Sequence, residues 1–367
     1  MSAEKILPER KRRGRLSCRR RAPVVVSGIM LLALALGALA GCDSAGATSN
    51  TYGGPQNHVH DILALAGVPH VVLLATHIGL YRSADGGGHW AEVAGGSGQA
   101  MDGLMLFKLA QSPVDSRRIY VLGVPRPDNP QAARAPTGVY TSTDAGQTWK
   151  LAAAASVFPT TSIFSIGTGS ANAGQVYAIL PSLGNHGVYV SNDAGKTWKA
   201  LPTLPTTAPG GIIADPAHPG HVYMWSISDG LFESADSGAT WTPASGTQGG
   251  VYFASLAGSL VYAVGDYGLY VSHDSGAHFL LVDSSATYSS VEASRSNPTQ
   301  AYALTGTAVY VSSDAGVSWH AAALTSQHPG VISVDPQAAD MVYVALSYPV
   351  GVEVTSNSGR TWRTVLP

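Results

Sequence analysis

Ser191-Asn192-Asp193-Ala194-Gly195-Lys196-Thr197-Trp198 decides how this chain is read, because its pattern, Ser-x-Asp-x-Gly-x-Thr-Trp, returns along the sequence. The spacing recurs at Ser83/Asp85/Gly87/Trp90, Ser142/Asp144/Gly146/Trp149, Ser234/Asp236/Gly238/Trp241, Ser272/Asp274/Gly276/Phe279 and Ser312/Asp314/Gly316/Trp319, with a degraded copy at Thr355/Asn357/Gly359/Trp362. The closing aromatics lie 59, 49, 43, 38, 40 and 43 residues apart. A repeat of about 40 residues is the length of one four-stranded propeller blade. Seven copies therefore predict an all-β, seven-bladed β-propeller over residues 58–367.

The unit's residue types suit a tight hairpin between the third and fourth strands of a blade. Such a turn needs a residue that tolerates positive φ, which Gly supplies, and acceptors for its inward amides, which the carboxylate and hydroxyl supply. The closing Trp pins the turn to the blade. Asp85, Asp144, Asp193, Asp236, Asp274, Asp314 and Asn357 are accordingly read as turn-builders, since chemistry needs a group once and a fold element needs it in every blade. Between the boxes, Val-Tyr or Ala-Tyr pairs such as Val176-Tyr177 and Ala301-Tyr302 mark second strands whose aromatics pack between blades.

On these residues the unit resembles the Asp-box, or BNR, repeat of sialidases, sortilin-type receptors, photosystem II assembly factor-like proteins and bacterial secreted glycosyl-hydrolase-like propellers. The resemblance implies the fold and leaves function open, because that scaffold hosts enzymes, receptors and assembly factors. Sialidase activity, as the resemblance would have it, needs an early Arg-Ile-Pro, three arginines around the substrate carboxylate and a Tyr/Glu nucleophile pair. No Arg-Ile-Pro occurs, and Arg82, Arg117, Arg118, Arg360 and Arg363 fall in turns or beside boxes. Glu92, Glu233, Glu292 and Glu353 fall in or beside predicted strands and not at loop tips.

The first 41 residues differ from the rest. Nine Lys/Arg precede an uncharged run from Ala22 to Gly41, the layout of an export signal. The run ends in Leu39-Ala40-Gly41-Cys42, which resembles the bacterial lipobox and implies lipid on Cys42. An uncleaved membrane-spanning anchor is the other reading of so long an apolar run. The expected organisation is a lipoprotein signal peptide over 1–41, a flexible Gly/Ser-rich spacer over 42–57 and the propeller, exported and held at the outer face of the cytoplasmic membrane. Beyond residue 41 the chain has 12 basic and 21 acidic residues, a balance that excludes a nucleic-acid footprint. With Cys18 in the leader and Cys42 lipidated, no thiol remains for a disulfide or metal set, and no cofactor is expected.

In a four-stranded meander the boxes share one end of the blade with the first-to-second-strand turns, so ligands are expected at the opposite end. Candidates there are His58, His60 and His77, then Asp102, Arg126, Asp229, Asp266 and Tyr348, with His186, Tyr267 and Tyr288 as further mouth residues. His58-Val59-His60-Asp61 with Thr76-His77-Ile78-Gly79-Leu80 resembles the opening of the bacterial glycosyl-hydrolase-like group, in which Gly usually stands where this chain has Asp61. Brought together, the three imidazoles could hold a metal or an anion; the alternative is that they satisfy loop backbone, since no fourth ligand is evident. Residues 123–137, with Arg126, Asp128 and Arg134, are an insertion expected to be a solvated loop. The expected function is a monomeric, non-catalytic binding or assembly module for a glycan, peptide or protein partner. A glycoside hydrolase or lyase is the alternative.

Overall fold

The computed structural model describes residues 57–322, 328–347 and 351–366. The leader, Cys42, the spacer up to residue 56 and Tyr348 lie outside the described residues. Strands are numbered in chain order, four to a blade, and the described residues form seven antiparallel four-stranded meanders. Blade one is β1 (Val59–Ala64), β2 (Val72–Thr76), β3 (Leu80–Ser83) and β4 (Ala91–Ala94). The first strands of the other blades, β5 (Leu104–Gln111), β9 (Ser165–Thr168), β13 (Pro209–Ala214), β17 (Val251–Ala257), β21 (Tyr288–Ala293) and β25 (Pro329–Val334), line the central channel together with β1.

Each box folds as its residue types require. In blade three Ser191 Oγ accepts from Gly195 N (2.8 Å) and donates to Asp193 Oδ1 (2.8 Å), which also accepts from Thr197 N (2.9 Å), while Asp193 Oδ2 takes the Thr197 hydroxyl (2.6 Å). Trp198 Nε1 closes the turn on Gly195 O (2.9 Å). The degraded copy is built alike: Gly359 N reaches Thr355 Oγ1 (3.0 Å), and Asn357 Oδ1 accepts from Thr361 N (2.9 Å). The turn needs positive φ at two consecutive residues. The box Gly is one, and the residue before it is the other, at φ 61° for Ala145, 64° for Ala194 and 60° for Ser237.

Seven apolar clusters lie between neighbouring blades among the described residues, and one of them closes the ring. Ile62, Leu74 and Tyr81 of blade one pack on Tyr343, Ala345 and Val354 of blade seven. There the Ala64 amide also reaches Ser333 Oγ (3.0 Å). The last strand, β28 (Arg363–Leu366), pairs with β27 (Gly351–Thr355) of its own blade, so closure is by packing and not by strand exchange. The second-strand tyrosines clamp one blade to the next, as expected. Tyr177 and Tyr223 are fully buried and donate to Ser237 O (3.1 Å) and Ser275 O (2.6 Å) in the following blade's box. Each such ring contributes about 2 kcal/mol by burial alone.

Candidate functional site

The first strands do not run in even register. β1, β13, β17, β21 and β25 each carry a bulge at their outer end, leaving His60, Gly210, Tyr252, Ser289 and Gly330 outside the pairing. In β5 the irregularity leaves Phe107 and Lys108 unpaired. A bulge re-aims its extra residue and turns the strand. All of these residues line one funnel of about 740 Å³ at the axial end opposite the boxes, together with His58, Phe164, Trp225 and Ile227. A second cavity of about 160 Å³ continues down the axis, and Lys108, Trp225 and Phe253 line both, forming the neck between them. His60 lies inside β1, at the bulge.

The neck is a small charged lattice in an apolar wall. Lys108 Nζ lies 2.9 Å from Asp61 Oδ2 and 5.6 Å from the centre of the Phe253 ring, which packs on Trp225 at 5.7 Å. Asp61 is buried and also accepts from the amides of Ile62 (3.1 Å) and Leu109 (2.9 Å). It therefore braces blade one against blade two. Glu292 faces the inner cavity. Burial pushes its carboxyl up to about 7, against the pull of Arg295 and Lys108, with Asp61 adding to the rise. Trp225 lies flat over β13 because no side chain is there to stop it: a Cβ on Gly211 would fall 1.8 Å from the indole.

The three histidines meet on the rim. Ring centres are 4.5 Å apart for His58 and His60, 4.6 Å for His58 and His77 and 5.9 Å for His60 and His77. His77 sits in the loop after β2, and its Nε2 lies 2.6 Å from Asp128 Oδ1 in the blade-two insertion. As expected, that insertion is exposed over most of its length, and backbone contacts dock it on blade two. Its Ala132 carbonyl lies where a Cβ on Gly103 would be, at 1.8 Å, and Arg134 N and Ala135 N donate to Asp102 O at 3.0 and 3.1 Å. Burial raises the Asp128 carboxyl, but the hydrogen bond from His77 and the nearby Arg126 outweigh it and hold it below the ordinary range. Burial, then the neighbouring His58 and His77, push His60 down to about 3, so its ring is neutral at physiological pH.

The remaining candidates do not converge. Asp102 caps its own loop through Gly98 N (2.9 Å). Asp229 accepts from the hydroxyls of Thr206 (2.5 Å), Ser226 (3.1 Å) and Ser228 (2.7 Å). Asp266 accepts from Gly250 N (2.7 Å) and from the Tyr252 hydroxyl. Arg126 is buried beside Asp128 and away from the funnel wall. Tyr288 is a core residue, 1% exposed and bonded to Asp283 Oδ2 (2.9 Å), and not a mouth residue. His186 ends a short 3-10 turn, and Tyr267 is exposed at a hairpin tip, both outside the funnel wall. Sequence reasoning missed Phe107, Lys108, Tyr252, Phe253 and Glu292, because a bulge breaks the two-residue alternation that places a strand residue inside or outside; it missed Trp225 because the indole reaches the funnel over Gly210 and Gly211 of the neighbouring strand.

A family model for the BNR/Asp-box repeat matches residues 140–151 and 189–200, the boxes of blades two and three. The chain is an Asp-box propeller. Among solved structures this propeller is similar to the GH74 xyloglucanase from Xanthomonas campestris, with 15% identity and a TM-score of 0.67 over 85% of this chain and 55% of that one. It thus spans about half of that enzyme. It is also similar to YCF48 bound to D1 peptide, with 15% identity and a TM-score of 0.59 over 82% of this chain and 94% of that one, and to YCF48 from Cyanidioschyzon merolae, with 15% identity and a TM-score of 0.58 over 82% and 96%. At such identities the likeness is one of fold. No curated protein matches.

Proposed function

We propose that this Asp-box propeller is a non-catalytic binding module that takes an extended peptide segment of a partner protein into its axial funnel. The observation that carries the reading is the funnel wall: five bulges turn backbone out of the ladder beside Phe107, Trp225, Tyr252 and Phe253. Such a surface offers main-chain partners and fixed aromatic walls together, which suits an extended peptide better than a sugar ring. Asp102, Asp229 and Asp266, the carboxylates a glycosidase would draw on, are engaged by their own loops. YCF48 in its peptide-bound structure, matched over nearly its whole length, supports a peptide more than half of a xyloglucanase supports a polysaccharide.

A hydrolase is the second reading, favoured by one feature. Glu292 is a carboxyl raised to about 7 in the channel, the property of a general acid. Lipid on Cys42 would tether the funnel outside the cytoplasmic membrane, as a monomer; mass spectrometry of the mature N-terminus tests that anchor.

One experiment separates the two readings. The full chain, purified in detergent, is presented with a displayed random-peptide library and, separately, with a panel of aryl glycosides. Enriched peptides that bind the wild type and no glycoside turnover are expected. Turnover that is lost in Glu292→Gln would overturn the binding reading in favour of hydrolysis.

A further inference from the structure

We infer that His58, His60 and His77 form a binding site for one divalent late transition-metal ion, zinc or copper(II), with Asp128 orienting His77 and the ion's fourth position open to the funnel. The donor atoms of the three rings already lie within 4.8 Å of one another. Ligand nitrogens held 2.0–2.1 Å from a tetrahedral ion lie about 3.3 Å apart, so small ring rotations complete the set. His60 Nε2 and His77 Nδ1 are buried and have no hydrogen-bond partner. Buried polar atoms are nearly always satisfied, and two orphaned ring nitrogens in one cluster point to a bound species.

Asp128 settles which His77 nitrogen is the ligand. A carboxylate accepts only from an N–H, so its 2.6 Å contact places the proton on Nε2 and leaves the lone pair on the orphaned Nδ1. A carboxylate behind a histidine is the support that metal-binding imidazoles recurrently have. Three imidazoles without thiolate suit zinc or copper and not calcium or magnesium. Because His58 and His60 also line the funnel, the open position faces the peptide path, where a carboxylate or imidazole of the partner would complete the coordination.

The other histidine cluster among the described residues serves as a control. Asp215, His218 and His221 lie close together, but Asp215 is occupied by His218 Nδ1 (2.6 Å) and Ala217 N (2.8 Å), and His221 faces Glu233 (3.6 Å). It is a strand turn whose polar groups already have partners.

The test is calorimetric titration of the chelator-stripped full chain in detergent with zinc chloride and, separately, copper(II) chloride. One equivalent is expected to bind, with a three-nitrogen copper EPR spectrum. His60→Gln should weaken binding at least 100-fold and Asp128→Asn about 10- to 100-fold, while the paired change His218→Ala/His221→Ala should leave it unchanged. Unfolding midpoints check that each variant is folded, and His58→Asn at the more open rim replaces His60→Gln if the latter does not fold. No stoichiometric binding to the wild type, a copper spectrum with fewer than three nitrogens, or binding that survives in a folded His60→Gln or His58→Asn would overturn the site.

Discussion

Replacing Glu292 with Gln should make this protein more stable at alkaline pH. Glu292 carries a carboxyl raised from an ordinary 4.5 to about 7, with burial as the main cause. A group whose folded pKa lies above its unfolded one stabilises fully below the unfolded value, and that contribution is lost as pH rises through the folded one. The window here runs from about 4.5 to about 7, and the difference is worth about 3 kcal/mol at about 1.4 kcal/mol for each tenfold change in proton affinity. Gln keeps the shape and stays neutral. Arg295, exposed at the channel end, returns to water when the anion is removed. Urea unfolding followed by tryptophan emission at pH 5 and pH 8 is the assay. At pH 5 Glu292→Gln should lead by less than about 1 kcal/mol; at pH 8 it should lead by about 3 kcal/mol. A variant less stable than wild type at pH 8 would show that the ionised carboxylate gains more from Lys108 and Arg295 than burial costs it, and the account of the neck would fail.

Other consequences follow from the same geometry. The box carboxylates of Asp193 and Asp314, held down to about 2, the first cause being the side-chain hydrogen bonds from Thr197 and Ser318, contribute stability above an ordinary 3.8 that is lost as pH falls through about 2. Acid unfolding followed by circular dichroism should therefore develop only below about pH 4, and a transition centred near pH 5 would contradict the box assignment. Ala194→Gly, which relieves a left-handed alanine at φ 64°, should raise stability by about 0.5–1 kcal/mol in urea, whereas a loss would show the turn to be unstrained. Gly211→Ala drives a methyl into the Trp225 indole. It should cost about 1–3 kcal/mol and shift tryptophan emission; an unchanged spectrum would place Trp225 elsewhere.

The ring was legible in the sequence because every blade repeats the same local chemistry. Ser191, Asp193, Gly195 and Trp198 solve one turn with residues whose roles are fixed by backbone geometry, and six further copies report the same answer. Even the Asn357 copy reads correctly, since an amide oxygen accepts the same backbone bond as a carboxylate. The mouth was legible only in part. His58, His60 and His77 could be grouped because strand pairing brings the start of one strand to the end of the next. Asp128 could not be joined to them, as its 51-residue separation from His77 is bridged by a loop whose docking depends on Gly103. The left-handed Ala145 and Ala194 went unread because alanine gives no sign of positive φ. Phe107, Lys108 and Tyr252 face the funnel through bulges, which no alternation of apolar and polar residues announces.

Ligands entering the funnel should depend on its aromatic wall, and binding of one peptide selected from the displayed library, measured by fluorescence anisotropy on the full chain and its variants, is the decisive measurement. Phe107→Ala and Phe253→Ala should each weaken binding by about 30-fold or more, the loss of about 2 kcal/mol typical of an anchoring aromatic. Leu280→Ala, on the outer strand β20 (Leu280–Asp283) and 66% exposed, should change nothing. Equal affinity in wild type, Phe107→Ala and Phe253→Ala, or a loss confined to Leu280→Ala, would place the ligand elsewhere and contradict the account.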